Sequence, residues 1–453
     1  TAGAWINNQE IQMDVFQGVI GNGNQVGTFA NGNILSSDQS IESMWSSIYS
    51  VINSANYIIE KMETLAGEYS DAQLTELKRY EGEARFVRAY CYYWLADHFC
   101  QTYSTDKGET AALGLPLVTK YHPTSDRGSY PSRSTQNETY ALIASDLDYA
   151  LTALLAYEAT GKVPTANSHY LSSYTVLALQ ARIALLKGEY TTALSKAEEV
   201  IASNIYSLTT INDYAKLWSE DEGTEVIFRP FMSATELGSS TGGQFLSDNE
   251  ESAWYIPTED MLSLYDEEND VRFSTFFTIY DGLQSNGLTL RAYVFNKYPG
   301  NESLKTGTQR NFVNMMKPFR LSELYLIAAE SAAAIGDATN VAKANSYLNT
   351  LRTNRIANYE NVNLTASALI QNIRAERLKE LIGEGFRLSD LRRWNLGFNR
   401  NGNYPRNPEV ENIFVTSGKT LSYQAGDYRF VWPIPATEMQ SNPQLAGQQN
   451  PGY

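Results

Sequence analysis

The chain has 453 residues, 35 basic against 51 acidic side chains and a formal net charge of -16 at pH 7. A charge of that sign repels phosphate backbones and argues against a nucleic-acid partner. Three histidines and two cysteines, with no zinc-like spacing among them, leave no metal site to read. A mean hydropathy of -0.36 points to a globular protein, and no stretch approaches the ~20 apolar residues that a membrane helix needs. The opening "TAGAWINNQE" carries no basic-then-apolar leader, so any export signal or anchor is expected upstream.

In chain order, residues 17–40 are rich in Gly, Asn and Ser and read as a loop. "WSSIYSVINSANYIIEKM" then places Trp45, Ile48, Ile52, Ala55, Ile59 and Met62 on one helical stripe. "ELKRYEGEARFVRAYCYYWLADHF" has one face of Leu77, Tyr80, Ala84, Val87, Cys91, Trp94 and Leu95, and a second of Phe86, Tyr90 and Tyr93. A helix apolar on two faces lies between neighbours. Cys91 and Cys100 are ~13 Å apart along such a helix, beyond the roughly 7 Å a disulfide allows, so both are expected as buried thiols. Thr135 and Glu138 form a capping box ahead of the stripe Ile143, Leu147, Ala150, Leu151 and Leu154.

Residues 174–203 predict two helices joined at Lys187-Gly188-Glu189, with small residues at Ala181, Gly188, Ala193 and Ala197. That spacing fits a tetratricopeptide repeat, in which small residues let paired helices approach closely. Residues 320–355 repeat the pattern with Ala329, Gly336 and Ala344. The fold class expected is mostly α, a degenerate tetratricopeptide-repeat scaffold winding as an α-α superhelix, with a loop-rich, weakly β ligand-recognition lobe. Within one unit spanning 1–453, the first repeats take 41–203 with a loop insertion at 104–133, and the middle lobe takes 204–318. The late repeat and following helices take 319–394, and an irregular segment takes 395–453.

"IRAERLKELIGEGFRLSDLRRW" sets Glu376, Glu380 and Glu384 four residues apart, hence on one helix face. Arg374, Arg377, Arg387, Arg392 and Arg393 surround them. Side chains on a single helix face do not close around a substrate, and calcium does not seek five arginines. The pattern is expected to be a structural ion-pair lattice, with the local arginines and Asp390 neutralising the acids and Glu323 and Glu330 as further partners. Gly383 and Gly385 are expected to end or bend the helix.

Several segments together resemble the SusD/RagB proteins of Bacteroidetes. They are "WSSIYSVINSANYIIEKM", "GEARFVRAYCYYWLADHF", "EVIFRP" with "YIPTEDMLSLYDEENDVR", "RLSELYLIAAESAAAIGD" with "ANSYLNTLRTNR", "ERLKELIGEGFRLSDLRRW", and "WPIPATEMQSNPQLAGQQNPGY". Gly383 departs from the family pattern, which often has Phe there. The resemblance implies an outer-membrane lipoprotein on the extracellular face, anchored through a lipid on an upstream Cys. It implies a SusC-like TonB-dependent transporter as partner, and capture of an oligosaccharide, or in RagB-like members a peptide, without catalysis and without a cofactor.

Sugar recognition needs an aromatic face for the apolar C–H side of a ring and planar side chains for its hydroxyls. Two stretches supply them. One is "GNGNQVGTFANGN", with Asn22, Asn24, Phe29, Asn31 and Asn33; the other is "NEESAWYIP", with Glu250, Trp254 and Tyr255. These are the candidate ligand residues, placed by position rather than by a motif. From another class, an α-helical glycoside hydrolase would use acids and aromatics too, through two carboxyls roughly 5–9.5 Å apart. A repeat scaffold binding only protein partners is a third possibility.

Overall fold

The computed structural model describes residues 2–21, 28–65, 69–104, 112–247, 252–308, 310–400, 402–418 and 420–453, without the side chains of 2–5 and 63. The chain forms two compact units. One comprises 1–33, 165–170 and 190–426; the other comprises 34–164, 171–189 and 427–453. Helices dominate both, and the strands described pair only in twos.

In the second of these units the helices Gln39–Leu65, Asp71–Phe99, Gln136–Glu158 and Ser173–Leu186 pack in sequence. The stripe Trp45, Ile48, Ile52, Ala55 and Ile59 is buried. Helix Asp71–Phe99 is buried on two faces over its second half, from Ala89 to Phe99 with the exception of Tyr90. Tyr80 and Val87, expected on its apolar face, are exposed, while Glu81, Gly82, Ala84 and Phe86 on the same turns are buried. Thr135 caps the next helix as expected: its Oγ1 accepts from Glu138 N at 3.1 Å, and the Glu138 carboxylate accepts from Thr135 N at 2.8 Å.

A buried polar clasp joins three of these helices. Arg88 donates to Asp146 through Nε and Nη2, both at 2.7 Å, and through Nη1 to Asn56 Oδ1 at 2.7 Å. Removing one partner of such a clasp leaves a buried charge unpaired. The chain end returns to this unit. Trp432 packs beside Trp94, His98 and Phe99, and Asn450 donates to the carbonyls of Phe99 and Trp432 while accepting from Arg133. Cys91 and Cys100 are buried free thiols.

In the other unit, helix Leu321–Ile335 packs against Tyr190–Ala202, Ala338–Thr353 and Ala366–Leu381. Ala193, Ala197, Ala329 and Ala344, small residues of the repeat pattern, are fully buried in this unit, whereas Ser173–Leu186, expected to pair with Tyr190–Ala202, belongs to the other unit. Asp337 caps the second helix of the late repeat through Thr339 N and Asn340 N. The rest of this unit combines loops, strand pairs and the helices Ala2–Gln12, Tyr214–Ser219, Val271–Phe276 and Arg387–Arg393 around an aromatic core that includes Phe16, Trp218, Phe245, Tyr255, Phe276, Phe295 and Tyr298.

Candidate functional site

Glu376 and Glu380 are fully buried, and the Glu384 side chain is nearly so. Glu380 receives Arg272 Nη1, Arg320 Nη1 and Arg355 Nε, each at 3.0 Å. Glu376 receives Arg272 Nη2 and Arg352 Nε, both at 2.6 Å. Glu384 receives Arg320 Nη2 at 2.5 Å and Lys297 Nζ at 2.7 Å. Glu225 closes the array with Arg320 and Arg355, at 2.5 and 2.8 Å.

The expected lattice is present, but its cations are not the expected ones. Arg377 pairs instead with Asp390 at 2.8 Å and Arg387 with Asp14 at 2.5 Å. Arg393 takes Glu330 and Asp390, and Arg374 lies over the Trp394 ring. Arg374 and Arg377 point off the acid face of the helix, and Arg387, Arg392 and Arg393 belong to the next helix, Arg387–Arg393, so apart from Lys379 the acids draw their counter-charges from other segments.

Burial pushes the Glu376 carboxyl up, but Arg272, Lys379 and Arg352 outweigh it and hold the group at about 2. Burial acts likewise on Glu380, and Arg355, Arg320 and Arg272 bring it well below the usual range. Both are held in the ionised form near neutral pH and enclosed, so neither offers a proton or an open ligand position. A depressed carboxyl stabilises the fold above its unfolded value and loses that contribution as pH falls through its folded value. The urea midpoint should therefore drop steeply between pH ~4.5 and ~2; a midpoint constant across that window would contradict an ionised lattice.

The helix ends at Leu381, and Gly383 follows at φ +76°. A Cβ there would stand 2.7 Å from Phe295 Cζ, and Tyr298 donates to the Gly383 carbonyl at 2.8 Å. Phe295 thus occupies the space beside Gly383 that a larger residue needs. Gly383→Ala is expected to cost about 2–4 kcal/mol, from left-handed backbone and overpacking together, read as a lowered denaturation midpoint. The turn does not aim Arg387 back at the glutamates, as expected, but at Asp14.

The residues that lead into the Asn-rich stretch lie beside the Trp254 segment. Strand Phe16–Gly18 pairs antiparallel with Tyr255–Pro257, with Gly18 opposite Tyr255, and Val19 N donates to the Trp254 carbonyl at 3.0 Å. Trp254 is half-buried, and among the described residues its indole N–H meets no acceptor. Asn31 and Asn33 are tied to Thr420: the Asn31 carbonyl accepts from Thr420 N, and Asn33 Oδ1 accepts from Thr420 Oγ1, each at 2.8 Å. Asn33 is exposed and Asn31 half-buried. Asn22, Asn24 and Glu250 lie outside the described residues.

Phe29 and Tyr255 correct the expectation. They are 0 % and 1 % exposed, so neither presents a ring face to solvent. Tyr255 belongs to a strand whose three residues are all buried, and Trp254 stands at that strand's open end.

A neighbour of this junction was not anticipated. Strands Phe277–Ser285 and Leu288–Phe295 form a hairpin closed by Asn286 and Gly287, both at positive φ. Asn-Gly between alternating strands is the sequence signal for such a turn. Ser285 Oγ donates to the Ile20 carbonyl at 2.9 Å. The hairpin tip, Gln284 to Thr289, encloses with Ile20 and Gly21 an open hollow of ≈ 380 Å³. Its lining is amide, hydroxyl and short apolar groups without a charge, which suits a neutral polar ligand. Among the described residues no group of three or more His, Cys, Asp or Glu could hold a metal ion, and no helix is long and apolar enough to cross a membrane.

The model of the SusD family matches residues 87–453. The chain belongs to the SusD family. It is 24 % identical to SusD-like protein P38 of Formosa agariphila, over 93 % of this chain and 82 % of that protein. A crystal structure of a SusD superfamily protein from Bacteroides thetaiotaomicron is 28 % identical, with a TM-score of 0.81 over 99 % of this chain and 94 % of that one. A laminarin binding SusD-like protein, 20 % identical, shares the fold with a TM-score of 0.69 over 99 % and 94 %. In this SusD chain the resembling motifs acquire a common physical role. Arg272 ends "YDEENDVR", Arg320 opens the late repeat, Arg352 and Arg355 lie in "LNTLRTNR", and the acids they meet are Glu376 and Glu380 of the helix Ala366–Leu381 and Glu384 in the turn just past its end.

Proposed function

We propose that the chain is a non-catalytic carbohydrate receptor. It captures an oligosaccharide where the Asn-rich loop, Trp254 and the hairpin tip meet. It then delivers that ligand to a SusC-like TonB-dependent transporter, held by an upstream lipid anchor on the outer face of the outer membrane. The observation that carries this reading is the Phe16–Gly18/Tyr255–Pro257 pairing, which sets the residues leading into the Asn-rich loop beside the strand that follows Trp254, next to an uncharged hollow. The laminarin binding relative of the same fold supports the ligand class. The non-catalytic role is supported by the ladder acids, which are enclosed and ionised and so unfit for the acid and base of a glycosidase.

Calorimetry against laminarin, other neutral polysaccharides and peptides, with an assay for new reducing ends, tests the proposal. Saturable binding of a polysaccharide without turnover is the expected result. New reducing ends overturn the receptor reading in favour of a hydrolase, and binding of peptides alone replaces the ligand class.

A further inference from the structure

A second hollow, of ≈ 160 Å³, is lined by Ile279, Arg291, Ala292, Tyr293, Tyr404, Arg406 and Asn407. Its volume falls below the ~300 Å³ of a site for a drug-sized ligand, leaving room for about one ring. The Tyr293 ring is half-buried and braced edge-on by Phe273 at 5.2 Å. Tyr293 N donates to Tyr404 Oη at 3.3 Å, and Asn407 Nδ2 donates to the Arg291 carbonyl at 2.9 Å. Arg406 lies 5.5 Å from the Tyr293 ring centre and is held by Glu259 and Glu267. Arg291, largely exposed, is 3.2 Å from Asp281. Each guanidinium has a carboxylate partner, so the hollow presents planar donors and an aromatic wall without an unbalanced positive charge.

Strand register connects this hollow to the first. Ile279 lies opposite Tyr293 and Gln284 opposite Thr289, with Arg291 between them across the bulge that follows Tyr280. Alternation puts Tyr293, Arg291 and Thr289 on one face of the hairpin. That face runs from the Gln284–Thr289 end, which lines the first hollow, to Ile279 and Tyr293, which line the second. Thr289 and Tyr293 are four residues apart on that face, a rise of ~13 Å.

Resting on the carbohydrate reading above, we propose that this hairpin face is a track for an extended oligosaccharide. One end of the sugar chain sits at the Ile20–hairpin-tip hollow. A later ring stacks on Tyr293, with hydroxyls read by Arg291, Arg406 and Asn407. A disaccharide held at the first hollow is too short to reach Tyr293. Each added sugar then gains contact, and the second hollow is filled as an intramolecular step.

The test is titration of the wild-type chain, Tyr293→Ala and Arg291→Ala with laminari-, cello- and malto-oligosaccharides of two to seven residues. For the series that binds, wild-type affinity should rise about tenfold from the disaccharide to the longest member. Both variants should flatten that rise while binding the disaccharide as wild type does. Affinity independent of chain length, or a rise that both variants retain, overturns the track and leaves the receptor reading standing. No binding by any series, nor by the polysaccharides, overturns both. Thermal melts of the variants check folding, and the exposed Arg291 gives a reading even if Tyr293→Ala is unstable.

Discussion

Glu380→Ala is expected to lower stability by about 3–5 kcal/mol, because it removes the shared acceptor of a buried array and leaves three buried guanidiniums with an excess of positive charge. Arg272, Arg320 and Arg355 all reach Glu380 at 3.0 Å, and Tyr214 donates to it at 3.3 Å. These partners come from four separate stretches, so one substitution loosens several long-range connections at once. Glu380→Gln should cost nearly as much, since it keeps the shape and loses the charge. Arg387→Ala should cost less, because the Arg387–Asp14 pair is partly solvated, with 13 % and 20 % side-chain exposure. Urea unfolding of the three variants checks this order. A Glu380→Ala midpoint equal to wild type would mean that the array contributes no net stability. In protein that folds, glycan affinity should survive, since no lattice residue lines either hollow.

What the sequence revealed and what it withheld divide by range. Helices, the Thr135 cap, the small-residue contacts of the late repeat and the burial of Trp45 were legible because each depends on residues within a few turns. The identity of the lattice cations was not, because Arg272, Arg320 and Arg355 are brought to Glu380 by tertiary folding alone. The sequence supplied the nearby arginines as a plausible answer, and helix geometry sends them elsewhere. At the candidate site, the residues leading into the Asn-rich stretch lie beside Trp254, yet composition could not say which aromatic faces inward. Phe29 and Tyr255 went to the core. The Asn286-Gly287 turn was readable from the chain, but its closeness to Ile20 follows only from the tertiary pairing.

Trp254→Ala is expected to weaken binding of the responding glycan on the order of 30-fold, equivalent to about 2 kcal/mol. Trp254 combines the features that recognition requires. It is half-buried against the aromatic core, which fixes the ring, and it stands where its backbone meets Val19, next to the first hollow. Its indole N–H is buried, so the face of the ring rather than the donor is what it can offer a sugar. Tyr255→Ala separates contact from scaffold. Tyr255 is enclosed, so its truncation should cost about 3–5 kcal/mol of stability, while Trp254→Ala should lower the melting temperature much less. Trp254→Phe should recover part of the affinity, since it restores a ring. Calorimetry with the glycan, paired with thermal melts, distinguishes the variants. Undiminished affinity in folded Trp254→Ala would remove Trp254 from the site and shift the aromatic contribution to Tyr293.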